Sequence, residues 1–180
     1  IDELTHSITR LDVLVNNAGA NFPHGLDESQ PEGFNASVAL NLMGPYRLTI
    51  GLRSALRAST ATGGASVVNL ASMSALRAVT YVPGYGAAKA GIISMTRTLA
   101  LAWAPNGIRV NAVAPGVIDT PMTAPAKAIP EIADTEIAHI PLGRFGRVEE
   151  IVPTIAFLCT EHSSYTSGAL FVLDGASDCF

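Results

Sequence analysis

Four short apolar runs, Leu11–Val15, Ala65–Leu70, Ile108–Val113 and Ala169–Leu173, recur along the chain with helical patterns between them. This alternation limits the fold more than any other feature. The runs are rich in Val, Ile and Leu and show little polar alternation, so both faces of each strand must be covered. Strands buried on both faces belong to parallel sheets, whose crossover helices do the covering. The expected fold class is therefore α/β, a doubly wound parallel sheet. A composition that is 48% hydrophobic and only 14% charged suits such a buried sheet, and 180 residues suffice for one domain, 1–180, with a real core.

Between the strands the pattern predicts a helix from near Pro31, capped by Asp27 or Ser29, with Phe34, Val38 and Leu42 on its apolar side. Gly44-Pro45 should bend it, and a helical pattern resumes over Tyr46–Ala58 with Arg47, Arg53 and Arg57 facing water. Tyr85–Trp103 reads as a helix ended by Pro105-Asn-Gly107. Thr120–Ile140 has weak periodicity and suits a mobile lid. Val148–Cys159 is a helix in which Pro153 should cause a kink or a later start.

Several classes of function are excluded or disfavoured. A formal charge of −4 with 11 Lys and Arg and no basic run is a poor nucleic-acid surface. Cys159 and Cys179 have no metal-ligand spacing and are too few for a disulfide scaffold, and His6, His24, His139 and His162 show no paired spacing. The apolar runs are too short for a membrane span and the N-terminal residues lack a signal-peptide pattern, so a soluble cytoplasmic protein is expected.

The chemistry points to residues 72–89. Ser72 follows the run Ala65–Leu70, at the carboxyl end of a strand, where open α/β sheets bind ligands. Thirteen residues later comes Tyr85-x-x-x-Lys89, whose two side chains share one face if Tyr85 opens a helix. An ammonium so placed should favour the phenolate and lower the tyrosine pKa, making Tyr85 a general acid or base. The pair alone is a common solvated helix face. Its setting beside Ser72 is what gives it meaning.

With Asn16-Asn-Ala-Gly19 after the first strand, Asn41 in Asn-Leu-Met-Gly, Ser72 ahead of Tyr85-x-x-x-Lys89, and Pro115-Gly-Val-Ile-Asp-Thr120, the chain resembles the short-chain dehydrogenase/reductase family over nearly its whole length. The resemblance implies a Rossmann-type fold, NAD or NADP as cofactor, and interconversion of a small-molecule carbonyl and a secondary alcohol. It implies Tyr85 as proton donor or acceptor, Lys89 tuning it and holding the nicotinamide ribose, and Ser72 on the substrate oxygen. Asn41 would hold a water in a proton relay. Asn16, Ala18 and Gly19 would pass the adenosine half of the cofactor, while Pro115, Gly116, Ile118 and Thr120 would line the nicotinamide pocket. Tyr81 and Ser74 would be loop or substrate-side residues. A homodimer or homotetramer, paired through the two long helices, is also implied.

The family's glycine-rich phosphate loop, Thr-Gly-x-x-x-Gly-x-Gly, does not occur in the 180 residues, nor do the first strand-helix units that carry it. Ile1–Thr9 reads as the end of a helix, so the chain is expected to enter its fold midway, with an unpaired strand edge that favours aggregation and without the grip on pyrophosphate that dinucleotide-dependent turnover needs. The competing reading is a catalytically silent fragment or oligomer partner. An epimerase or dehydratase on a related scaffold fits less well, because the C-terminal region is short. Substrate identity and the choice between NAD and NADP stay open.

Overall fold

A computed structural model describes residues 1–179. Four parallel strands form one sheet in the order β1 (Val13–Asn16), β2 (Ala65–Leu70), β3 (Ile108–Pro115) and β4 (Leu170–Leu173). The helices are α1 (Asp2–Ser7), α2 (Pro31–Val38), α3 (Gly44–Gly51), α4 (Arg53–Arg57), α5 (Pro83–Trp103), α6 (Ala124–Lys127), α7 (Pro130–Ala138) and α8 (Val148–Cys159). Every residue of β2 is buried, and so is β3 up to Ala114. Alternate side chains of these strands feed two cores. On one face Val67 and Val110 pack with Leu99 and Trp103 of α5, and Ala112 and Ala114 with Ile92 and Ile93. On the other, Val68, Leu70 and Val113 meet Ile151 and Leu158 of α8. Helices on both faces make the sheet doubly wound. Among the described residues no helix is long and apolar enough to cross a membrane.

Several boundaries differ from the sequence reading. β1 begins at Val13, because Leu11 turns inward and its N–H donates to the Ala55 carbonyl at 3.0 Å. β3 runs on to Pro115, since its last residues pair with β4 up to Leu173. Gln30, not Asp27 or Ser29, precedes α2 as its cap, and Asp27 instead accepts the Ser29 N–H at 2.9 Å. The bend expected at Gly44-Pro45 is a π turn, Ala39–Met43, just before it. Thr120–Ile140 contains α6 and α7. α8 starts at Val148 despite Pro153. The bond lost there would have gone to the carbonyl of exposed Glu149, in the helix's first turn, where a carbonyl open to solvent costs little.

Polar groups inside the sheet are paired across elements. Asn16 donates to Asn69 at 2.7 Å and to Thr49 at 2.8 Å, and Asn69 donates to Thr96 at 2.9 Å, a ladder joining β1, β2, α3 and α5. Arg109, 6% exposed, donates to the carbonyls of Gly63, Leu158 and Thr160 and to the Ser163 hydroxyl, capping the carboxyl end of α8. Asn69→Ala removes the donor to Thr96 and one of the two acceptors of Asn16, which keeps Thr49, so we expect about 2–3 kcal/mol of lost stability. Urea unfolding checks this, and a loss under about 0.5 kcal/mol would make the ladder dispensable.

Candidate active site

At the carboxyl ends of the strands, Asn41 and Lys89 flank the turn after β1. Asn41 is fully buried in the π turn, the kind of local unwinding that often marks functional helices. Its side chain accepts the Ala20 N–H at 3.1 Å and donates to the Ala20 carbonyl at 2.9 Å and the Ser37 carbonyl at 3.0 Å. The amide is thus engaged with protein on both sides, and it fixes the path of Ala18–Ala20. Gly19 fits between the catalytic candidates, for a Cβ there would lie 2.8 Å from Asn41 Oδ1 and 3.4 Å from Lys89 Nζ. Asn41 and Lys89 therefore flank one patch of backbone.

Lys89 is 3% exposed and its Nζ donates to the Leu70 carbonyl, the last of β2, at 2.6 Å. That bond turns the ammonium toward the end of the strand from which Ser72 emerges. Burial pulls the Lys89 pKa down to about 8. Tyr85 occupies the first turn of α5, is 8% exposed, and has Lys89 Nζ 5.4 Å from its ring centroid. The expected lowering of the Tyr85 pKa is not what this geometry gives. Burial pushes it up, the neighbouring Ser72 hydroxyl pulls it back, and the Glu28 carboxylate pushes it up again. The physical reason is burial, which strips water from the phenolate and outweighs the Ser72 hydrogen bond.

Ser72 is 9% exposed and caps the short turn Met73–Ala75, accepting the Ser74 N–H at 3.1 Å, with its hydroxyl 3.3 Å from that of Ser74. Asn16, expected on the cofactor side, is 6% exposed and its side chain is taken up by the sheet ladder, so only its backbone is left for a ligand. Ala18 is exposed beyond it. Tyr81, the competing tyrosine, is 62% exposed and has no lysine near it in sequence.

Beyond β3, the Gly116 N–H donates to the Leu173 carbonyl at 2.9 Å, and a Cβ on Gly116 would lie 2.7 Å from the Asp174 backbone. Glycine lets the two strand ends pass this closely. Ile118 forms a bridge with Gly146 that closes the root of the segment carrying α6 and α7. Thr120 is held from within that segment, its N–H donating to Thr123 Oγ1 at 3.1 Å. The same segment is tied down by Lys127 with Asp119, by Arg77 with Glu136 at 3.7 Å, and by the Ser177 hydroxyl on the His139 carbonyl at 2.8 Å. A cavity of about 300 Å³ opens at these strand ends, lined by Ile118, Leu142, Arg144 and Asp174 among others, on the α8 side and apart from Tyr85. Among the described residues no group of three His, Cys, Asp or Glu is placed to hold a metal ion.

Sequence reasoning missed Glu28. It is 1% exposed, and its two oxygens accept the Phe22 N–H at 3.0 Å and the Tyr85 N–H at 2.7 Å. An acidic residue in a polar loop gives no signal of burial, and its partner lies 57 positions away.

The parallel sheet with buried polar groups at its strand ends defines a Rossmann-type α/β protein. Residues 1–176 match the family model described as enoyl-(acyl carrier protein) reductase. The chain is 38% identical to 3-oxoacyl-[acyl-carrier-protein] reductase FabG of Thermotoga maritima over 97% of the chain and 69% of that protein. It is 36% identical to 2-(R)-hydroxypropyl-CoM dehydrogenase of Xanthobacter autotrophicus, over 92% of the chain and 66% of that protein. A gluconate 5-dehydrogenase of Burkholderia cenocepacia in complex with NADP and tartrate superposes with a TM-score of 0.87 at 25% identity, across 99% of this chain and 69% of that one. The Pseudomonas aeruginosa RhlG/NADP active-site complex gives 0.88 at 29% identity, across 98% and 70%. The chain belongs to the short-chain dehydrogenase/reductase family.

Burial of Lys89 sets a pH dependence of stability. Its folded pKa, about 8, lies below the ~10.4 of an unfolded lysine, so between these values the unfolded chain binds more protons and stability rises with pH. Tyr85, raised in the folded state, acts oppositely above pH ~10. Chemical unfolding should show stability climbing between about pH 8 and 10, on the order of 2 kcal/mol. Lys89→Met should flatten that climb, and a variant with the same climb would refute the assignment to Lys89.

Proposed function

We propose that the protein is an NAD(P)-dependent oxidoreductase interconverting a carbonyl and a secondary alcohol, with Tyr85 as the general acid/base. The observation that carries this reading is that Ser72, Tyr85, Lys89 and Asn41 are all nine-tenths or more buried, with Asn41 and Lys89 flanking the Gly19 backbone, Lys89 Nζ 5.4 Å from the Tyr85 ring centroid and the Ser72 hydroxyl beside the phenol. The nicotinamide ring, when bound, supplies or accepts the hydride. The residues fit such a group: Lys89 Nζ, beside the Gly19 backbone, has donors beyond the one given to Leu70. Asn16, Ala18 and Gly19 through their backbone, with Lys89, Pro115, Gly116, Ile118 and Thr120, are the candidates to hold it. The NADP complexes among related structures support the cofactor class and leave NAD open.

In the reduction, Ser72 donates a hydrogen bond to the substrate oxygen and steadies the charge that gathers there as hydride arrives at carbon. Tyr85 gives its proton to that oxygen, and takes it back in the oxidation. Lys89 stands over the ring that must carry the phenolate charge, and so opposes the penalty of burial during the step. Asn41 fixes the Ala18–Ala20 turn against which Lys89 rests. Substrate contacts fall to the Phe22–Gly25 loop and to α6–α7.

Tyr85→Phe removes one hydroxyl, and we expect turnover to drop by about 10²–10⁴-fold while cofactor affinity holds. The assay is dinucleotide-dependent turnover by this chain or a longer protein containing it. Retention of more than about a tenth of the turnover would sink the assignment, and an equal loss in Tyr81→Phe would move the role there. The protein is also proposed to be a homodimer or homotetramer paired through α3–α4 and α5, where Tyr46, Ile50 and Leu101 are exposed at 43%, 39% and 83%. Light scattering that reports only monomer at micromolar concentration would refute it.

A further inference from the structure

The start of α5 lacks a local cap. Val82 offers no acceptor, and Pro83 in the first turn has no N–H. The Tyr85 N–H is one of the donors that a helix leaves unpaired at its amino end, and here it meets the carboxylate of Glu28 at 2.7 Å. The other oxygen of the same carboxylate takes the Phe22 N–H at 3.0 Å. Phe22 and His24 are in the left-handed region, at φ 47° and 58°, a conformation that non-glycine residues hold only when neighbours impose it. The loop does not hold itself through its own side chains, because Asn21 Oδ1 is buried without a hydrogen-bond partner. A carboxylate that is 1% exposed would be costly to bury alone, and two charge-assisted bonds at the positive end of a helix are the compensation present.

We infer that Glu28 is a positioning residue for the reaction ascribed to Tyr85: one carboxylate clamps the strained Phe22–Gly25 loop to the first turn of α5 and presents a fixed negative charge to the phenol. The inference rests on the functional reading of Tyr85 given above. Three groups face Tyr85: Lys89 from its own helix, the Ser72 hydroxyl from the turn after β2, and Glu28 from the loop before α2. Burial does most to keep the phenol protonated, the Ser72 hydroxyl works against it, and the Glu28 carboxylate adds to it, so the clamp reinforces the form that is ready to donate.

The test is the ultraviolet titration of tyrosinate, with the Tyr85 step taken as the difference between the chain and its Tyr85→Phe variant. Glu28→Gln keeps the shape and removes the charge, so the Tyr85 step should move to lower pH by roughly half a unit or more. Glu28→Asp keeps the charge and should bring the step back toward its original pH. A step unmoved in Glu28→Gln, or moved equally in both variants, overturns the role, since a merely structural residue would lower stability without this charge dependence. Hydrogen exchange on the unsubstituted chain gives a second reading that does not depend on the variants folding. The Phe22 and Tyr85 amides should be protected to within about tenfold of each other, and a Phe22 amide exchanging as freely as an open loop overturns the clamp. Turnover measured alongside separates the two claims. Activity lost in Tyr85→Phe with an unmoved titration in Glu28→Gln removes only the role of Glu28. A displaced titration with turnover kept in Tyr85→Phe removes only the functional reading.

Discussion

The total burial of β2 is the constraint from which the rest of the molecule follows. With no water on either face, each polar group in the strand needs a protein partner, and each has one from a different element. Ser66 donates to the Leu158 carbonyl at the end of α8, and Asn69 joins Asn16 to Thr96. These bonds set the heights of α8, β1 and α5 relative to the strand. Apolar packing alone would hold the layers together but would allow them to slide. Because Leu70 is fixed this way, its carbonyl can fix Lys89, and the strand can release Ser72 at a defined place.

That same dryness shapes the chemistry. An ammonium and a phenol in one low-dielectric pocket are both pushed toward their neutral forms, Lys89 downward and Tyr85 upward. The pocket therefore penalises charge at rest, and any group that brings charge has a strong effect. Burial does most to keep the phenol protonated, the Ser72 hydroxyl pulls the other way, and Glu28 adds a push that solvent would have screened.

Much of this was legible in the sequence, for definable reasons. Strands buried on both faces leave unbroken Val and Ile runs, so the parallel sheet and its four strands could be read from periodicity. Ser72, Tyr85 and Lys89 could be read because their spacing along a strand end and a helix face is a local property. What could not be read depends on distant partners. Asn16 was expected on the cofactor side, but its side chain turns to Asn69 and Thr49, which only the register of β1 on β2 brings near. Glu28 lies in a loop where an acidic residue normally meets water. The π turn at Asn41 and the direction of the Tyr85 shift both depend on how tightly α2, α3 and α5 close on one another, and no window of sequence carries that. Arg109 belongs with them, since a charged residue inside an apolar run gives no hint that it will cap a helix fifty positions on.

The bridge between Ile118 and Gly146 has an implication for how such a protein changes over time. It seals the α6–α7 segment at its root, with the Gly146 N–H on the Val117 carbonyl and the Asp119 N–H on that of Gly146, both at 2.9 Å. Between these residues α6 and α7 lie outside the sheet, held to the rest of the fold through Glu136 on Arg77, the His139 carbonyl on Ser177 and buried Ile140. Lengthening, shortening or rewriting that stretch leaves the register of β3 and β4 as it was. A lineage can thus vary this segment while inheriting the sheet and the buried polar groups at its strand ends unchanged.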